Sequence, residues 1–448
     1  MRQDFTVTEQ LNSLKPPVLA QVSKEGIREY FKNSWEIYEV LFSAISDDST
    51  YYESPDPLRN PLIFYYGHTA AFYINKLKLA GLISEGINDH YEVLFAKGVD
   101  PDLPQNLEVI DLWPTVDEVR AYREKVYNVV MNIIESTDVE NVLDSSQPLW
   151  SLHMGIEHDR IHFETSSVLI RQLPANLVKR PESWEYAPFY GTDSNNEWIT
   201  VSKDTVVLGK QEPSDLYGWD NEYGHKEVEV KAFMAMKNMV TNGEYLRFVE
   251  EAYNQQEFWT KEGWEWKERT ATKYPKFWVR KGDDFLYRAM FDELDMPLDW
   301  PVEVNAHEAW AYCKWMGEEY RLMSEAEFNV ASHSQEIPEP LYSEDFNLNM
   351  QFGSPTPVGY FSGHSNSQQF NDLFGNVWDW LSNDFYPLED FKIHPYYEDF
   401  SAPYFDDQHS MLLGGAWATT GTGASKYYRL WFRRNFYQHA GFRLAKDC

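Results

Sequence analysis

His158-Asp-Arg-Ile-His162-Phe-Glu164 lies inside a long run of apolar periodicity, Pro148 to Gln172. Side chains four apart on a helix share one face, so these two imidazoles can reach one metal ion. The stretch favours a metal-centred enzyme. A third ligand must come from elsewhere, and His68 is best placed, in another apolar helix (Asn60 to Leu79) whose core face runs through Phe64, Tyr65, His68 and Phe72. Three neutral imidazoles from two helices would leave coordination positions open for substrate. Spacing alone leaves alternatives. Helical His pairs also occur as ordinary hydrogen-bonded core residues, and His153 with Glu157 forms another four-residue pair on the same helix.

Outward from this stretch, the first 175 residues read as four amphipathic helices: Lys24 to Ser46, Asn60 to Leu79, Thr115 to Glu135 and Pro148 to Gln172. Pro61 stands near the start of the second, where its missing N–H does no harm, and Gly81 lies just past its end. Thr115 and Glu118 are spaced as a capping box. A four-helix bundle is the economical assembly, and bundles build metal sites from inward-pointing side chains. Leu173 to Pro188 carries Pro174, Pro181 and Pro188 and reads as a linker. Beyond it, short β-like runs (Thr205 to Leu208, Glu227 to Phe233) alternate with Gly, Asn and Trp clusters. Two helices are evident there, near Asn242 to Tyr253 and Asn305 to Met316. The expected division is a bundle over 1–175 and a loop-rich α+β domain over 176–448.

Composition limits the partners. At 448 residues the chain exceeds what one core usually supports. It is globular, with 43% hydrophobic residues, and its 39 basic against 71 acidic residues give a net charge of −32. That charge repels nucleic acid and anionic membranes. The N-terminal stretch has no apolar signal core, and no run approaches the roughly 20 apolar residues of a membrane span. A cytoplasmic protein is expected. Cys313 and Cys448, far apart, argue against a disulfide framework and a Cys-based zinc site. The 17 Trp, 29 Tyr and 27 Phe suit a fold of irregular loops stapled by large side chains.

The second half carries an ordered set of motifs: Gly218-Trp-Asp-Asn-Glu222, Val240-Thr-Asn-Gly-Glu-Tyr245, Arg321-Leu-Met-Ser-Glu-Ala-Glu-Phe328, Leu373-Phe-Gly-Asn-Val-Trp-Asp-Trp380, Gly414-Gly-Ala-Trp417 and Gly441-Phe-Arg443. Together they resemble the formylglycine-generating-enzyme or sulfatase-modifying fold, a C-type-lectin-like α+β domain. Taken singly, these residues serve as turns and core staples. The copper-holding cysteine pair of formylglycine-generating enzymes is not matched, since Cys313 lies within a helical segment. Preceded by a DinB-like four-helix bundle, the domain is similar to the sulfoxide synthases of thiohistidine biosynthesis. Residues 156–171, 296–305 and 436–443 most resemble the ovothiol-type branch, the 5-histidylcysteine sulfoxide synthases. The ergothioneine-type branch is the near relative.

The resemblance implies an iron(II) site of His68, His158 and His162, with Glu164 orienting a ligand ring. It implies a dioxygen-dependent oxidoreductase joining cysteine to C5 of the histidine imidazole as a sulfoxide. Tyr396, with Tyr397 next, stands where related enzymes place a proton donor. Arg120 and Arg123 match positions that bind carboxylates of the thiol substrate, a task guanidinium forks suit. Tyr427 to Arg434 corresponds to another wall of that pocket, with Arg433 and Arg434 as candidates. Ile161 replaces a Gln common in ergothioneine-type enzymes, which favours C5 of histidine over C2 of its betaine. The sequence stops at Cys448, so methylation is expected outside it, in a separate protein or in a truncated C-terminal domain, and a sulfoxide lyase in a separate protein. Alternative donors are thiosulfate or a selenium compound, and alternative activities are ergothioneine-type coupling, oxidation of cysteine to its sulfinate, or ligand binding without turnover. A zinc hydrolase is disfavoured, because Asp159 is the only carboxylate between the two histidines and is shorter than the Glu such enzymes use.

Overall fold

The computed structural model describes residues 11–96, 98–107, 110, 112–138, 143–190, 196–333, 339–341, 345–361 and 370–448. The chain forms two units, one of Met1–Ser183 with Pro213–Tyr217 and one of Trp184–Glu212 with Gly218–Cys448. The chain thus returns to the first unit after first leaving it. The expected boundary at 175 falls eight residues before the first crossing, shortly after the last bundle helix.

The first unit holds α1 (Lys24–Ser43), α2 (Leu62–Leu79), α3 (Asp89–Leu94), α4 (Val116–Ser136) and α5 (Trp150–Gln172). Long helices α1 and α2 each pack on both α4 and α5, which makes a four-helix bundle. The start signals act as the sequence indicates: Pro61 is the N-cap of α2, and Thr115 and Glu118 close a capping box on α4. The short α3 was not anticipated from the sequence. Its N-cap Asn88 and the buried Glu92, whose carboxylate accepts from the backbone of Ile87 and Asn88, fold it back against α2.

Every residue of α2 from Leu62 to Ile74 is buried, as expected of a helix enclosed on all sides. Helix α5 is buried almost as completely, although it carries His153, Glu157, His158, Asp159, Arg160, Glu164 and Arg171. Buried polar groups must find partners or ligands. Much of this unit's chemistry is therefore concentrated on one helix. A glycine permits its close approach to α2: a Cβ on Gly155 would fall 2.4 Å from the ring of Tyr73. Pro213–Tyr217 also contributes to this unit, with Asp215 accepting from the Leu19 amide and Tyr217 stacking on Trp150 at 4.6 Å.

The second unit is α+β. It contains β1 (Trp198–Val201), β2 (Asp204–Leu208), β3 (Lys226–Val230), β4 (Phe233–Met236), α6 (Asn242–Glu251), α7 (Lys261–Thr270), β5 (Trp278–Lys281), β6 (Asp284–Arg288), β7 (Glu293–Asp295), α8 (Ala306–Met316), β8 (Arg321–Leu322), α9 (Glu325–His333), β9 (Trp378–Asp384), β10 (His409–Leu413), β11 (Leu430–Arg433), β12 (Ala440–Gly441) and β13 (Leu444–Asp447). Sheets of order β1-β4-β13-β8 and β11-β10-β9-β12 are joined by a β2-β3 hairpin and a β5-β6-β7 meander. Among the described strand pairs β12–β9 is parallel and the rest are antiparallel.

Two expectations for this unit need correction. The sequence pattern indicates two helices, and α7 and α9 add two more; the single run Glu227 to Phe233 is split between β3 and β4, which belong to different sheets. The Trp and Arg motifs act as staples. The Trp380 indole donates to Val304 O at 2.9 Å, and the buried Arg443 guanidinium donates to the carbonyls of Met236 and Asn371. Arg429 and Glu325 pair at 2.7 Å with both side chains buried. Both cysteines are free, Cys313 buried inside α8 and Cys448 exposed. Among the described residues, no helix is long and apolar enough to cross a membrane.

A candidate metal centre

Helices α2 and α5 bring His68, His158 and His162 together. One ring nitrogen of each lies within 4.8 Å of the others. The ring centroids of the two α5 histidines are 4.4 Å apart, and His68 stands 5.0 and 4.5 Å from them. Geometry thereby separates the pairs that spacing left open, because His153 is not part of this cluster. His68 and His158 are buried and His162 is half-buried, which leaves one edge of the group open.

Aromatic rings hold the imidazoles in place. Phe72 stacks on His158 at 3.5 Å between centroids with 5° between planes, and Phe64 stacks on His68 at 5.0 Å. The Nδ1 of His68 lies 2.6 Å from the carbonyl oxygen of Phe95, the C-cap of α3. A carbonyl only accepts, so Nδ1 carries the proton and Nε2 offers its lone pair, the arrangement by which outer groups fix a ligand tautomer. Gly67 makes this approach possible. A Cβ there would sit 2.6 Å from the Phe95 ring.

Burial pushes His68 down to about 4, against the opposing effect of the Phe95 carbonyl, and the charge of Lys76 pushes it the same way. His158 and His162 lie well below the ordinary histidine range, mainly through burial and then through repulsion within the cluster. All three are therefore neutral donors near pH 7. Three neutral, convergent imidazoles are a donor set suited to a divalent transition metal. The Nδ1 of His162 has no hydrogen-bond partner among the described residues. The residues fit the iron(II) that the resemblance implies.

The other expected residues are placed as follows. Ile161 is half-buried beside His162 on α5. Glu164 is buried on the same helix, and the Phe95 carbonyl, which no side-chain pattern announces, holds the His68 ring. Arg120 is exposed and pairs with Asp48 at 2.9 Å and Asp117 at 3.0 Å. Arg123, although only one turn away, is 2% exposed and binds Glu39 at 2.7 Å. The resemblance grouped these two arginines on one substrate, whereas the fold separates them.

In the second unit Tyr396 and Tyr397 are both half-buried. Burial, followed by the charges of Asp399 and other nearby groups including Asp220, pushes the Tyr397 phenol well above its usual range. Arg433 donates to Gln408 at 2.9 Å, and Arg434 pairs with Glu262 at 3.1 Å and Asp384 at 2.7 Å. From the stretch expected as a pocket wall, Tyr427 and Arg429 line a cavity of about 460 Å³ together with Glu325, His225 and Lys426. Arg433 and Arg434 do not line it.

Named relatives match this chain to different extents. Ergothioneine biosynthesis protein 1 of Neurospora crassa is 24% identical over 541 residues, covering 97% of this chain and 59% of that protein. Hercynine oxygenase of Mycobacterium tuberculosis is 31% identical over 260 residues, 54% of this chain and 59% of that protein. Hercynine oxygenase of Mycolicibacterium smegmatis is 25% identical over 436 residues, 90% of this chain and 94% of that protein. The chain thus spans little more than half the length of the first two. Residues 30–166 match the DinB superfamily, in keeping with the bundle. Residues 187–448, more than half the chain, match the sulfatase-modifying factor enzyme 1-like domain, and the chain belongs to that family.

Proposed function

We propose that this chain is an iron(II)- and dioxygen-dependent sulfoxide synthase that joins a thiol to the imidazole of histidine. The carrying observation is the convergence of three neutral imidazoles from α2 and α5. The names of the relatives, ergothioneine biosynthesis protein 1 and hercynine oxygenase, support a histidine-derived acceptor. The overall change balances as one imidazole C–H, one thiol and one dioxygen giving the S-imidazolyl sulfoxide and one water. Iron bound by His68, His158 and His162 would supply a redox-active Lewis acid.

The protein's own groups perform the remaining tasks. The Phe95 carbonyl holds the His68 tautomer, and the rings of Phe64 and Phe72 exclude water from two of the imidazoles. Arg120 is the guanidinium of the α4 pair accessible to a substrate carboxylate, since exposed ion pairs such as its own exchange at little cost. Arg433 and Arg434 are further candidates for that task. Tyr396 or Tyr397 supplies a proton to the departing oxygen, and the raised phenol of Tyr397 keeps that proton at neutral pH. Ile161, apolar beside His162, supports C5 of histidine as acceptor with cysteine as donor. The relatives' names favour a second reading, C2 of histidine betaine.

Mass spectrometry of parallel aerobic reactions with iron(II), reductant, cysteine and either ring-deuterated histidine or its ring-deuterated betaine tests both readings. The expected product is a histidine–cysteine sulfoxide that has lost its C5 deuterium. Product from the betaine alone, with loss at C2, would select the second reading; cysteine sulfinate as the sole product would overturn both. Tyr396→Phe and Tyr397→Phe should divide the proton-donor role. Full coupling in both variants would remove the tyrosines from the mechanism.

A further inference from the structure

All four long helices meet at a buried polar cluster set one residue beyond two of the three histidines. Thr69 follows His68 on α2, and Asp159 follows His158 on α5; both are buried. From α4, the Arg123 guanidinium donates to Thr69 Oγ1 at 3.0 Å, to the Tyr66 carbonyl of α2 at 2.8 Å and to Glu39 of α1 at 2.7 Å. Asp159 of α5 accepts from Ser34 of α1 at 3.1 Å and is favoured by the positive charge of Arg123, so α1 ties α5 through Ser34 and, through Glu39 and Arg123, α2. Trp35 and Tyr66 lie on the Arg123 guanidinium at 4.3 and 4.6 Å. The Arg123 guanidinium itself is buried, its side chain 2% exposed.

Apolar contacts are non-directional, whereas the hydrogen bonds of this cluster weaken steeply with distance and angle and so fix helix register more sharply. Moving α2 along α5 by even a fraction of its roughly 5.4 Å pitch pulls Thr69 from Arg123 or Asp159 from Ser34 and leaves a buried guanidinium or carboxylate with fewer partners, a costly state. We propose that Arg123, Thr69, Asp159 and Ser34 form a positioning clamp that sets the register of α2 against α5 and so aligns His68 with His158 and His162 on one ion. Arg123 is on this account a positioning residue, not a substrate-binding one. The inference rests on the metal reading of the three histidines.

The test uses the whole chain, with cobalt(II) followed by visible absorption, iron(II) by competition with a chelator, and the metal-free fold by circular dichroism. Thr69→Val removes the hydroxyl at nearly constant shape. It is expected to weaken cobalt and iron binding by about ten-fold, the lower range for loss of an outer group at a metal site, and to shift the cobalt spectrum. Thr69→Ser restores both. Ser34→Ala, a milder change outside the ligand helices, weakens binding less but in the same direction, and serves if Thr69→Val fails to fold. Unchanged affinity and spectrum in the folded variants, with only the melting temperature lowered, would overturn the clamp. Failure of the unmodified chain to bind either ion would overturn the metal reading and the clamp with it.

Discussion

Gly67→Ala tests whether a glycine on one helix sets the chemistry of the histidine that follows it. An ideal Cβ at position 67 lies 2.6 Å from Cζ of Phe95 and 2.7 Å from two more of its ring carbons. Carbon–carbon contact needs roughly 3.6 Å, so Phe95 must retreat by about 1 Å. The same movement stretches the His68–Phe95 hydrogen bond, now 2.6 Å, to about 3.6 Å, beyond hydrogen-bond reach. Overpacking costs about 1–3 kcal/mol and the lost hydrogen bond about 1 kcal/mol. Alanine returns about 1 kcal/mol of helix propensity. The net is a destabilisation of about 1–3 kcal/mol, modest enough to leave the chain folded. Metal affinity should fall about 10- to 100-fold, because His68 loses the partner that fixes its tautomer. Thermal melts of the metal-free chain and titration with iron(II) or cobalt(II) read the two effects separately. A folded variant that binds metal as tightly as the parent would refute the role assigned to the Phe95 carbonyl.

His158→Ala should leave helicity intact and reduce stoichiometric iron binding to a trace; retention of one tightly held iron per chain would exclude the three-histidine site. The buried rings of His68 and His153, both pushed down to about 4 by burial, should show no titration in NMR spectra of the metal-free chain above about pH 5. Their folded values lie below the roughly 6.5 of the unfolded chain, so their contribution to stability is complete above 6.5 and is lost as pH falls towards 4. A ring titrating near 6.5 in the folded chain contradicts this. Arg429→Met strands Glu325 in the second unit and should cost about 3–5 kcal/mol by chemical denaturation, much of it recovered by adding Glu325→Gln. A loss below about 1 kcal/mol would mean that Arg429 does not compensate the buried carboxylate.

The bundle was legible because its signals are local. Proline, capping box and apolar periodicity put each long helix within a few residues of its observed ends. The pairing of His158 with His162 was open until His68 arrived from α2, a long-range contact that spacing cannot encode. Helix α7 escaped because Lys-Glu-Gly-Trp-Glu-Trp-Lys-Glu-Arg-Thr buries only Gly263, Trp266 and Lys267 and presents no apolar stripe. The part of the site contributed by Phe95 was invisible for a different reason. A backbone carbonyl carries no residue-type signature, and only the missing side chain of Gly67 marks where it enters. The role of Arg123 was obscured by its neighbour, because three-residue spacing with Arg120 suggests joint action but does not report burial.

The excursion of Pro213–Tyr217 into the first unit bears on how this protein is made. Leu19 takes its amide acceptor, and Trp150 its stacking partner, from residues synthesised well after α5 is complete. A nascent chain ending at Ser183 contains all three histidines but lacks these two contacts. At about 5–20 residues per second, the unit that carries the three histidines waits a few seconds on the ribosome for the segment that completes its packing. A gene fragment cut at the apparent boundary would carry the same deficit permanently, so the two units cannot be exchanged as independent cassettes without carrying that short segment along.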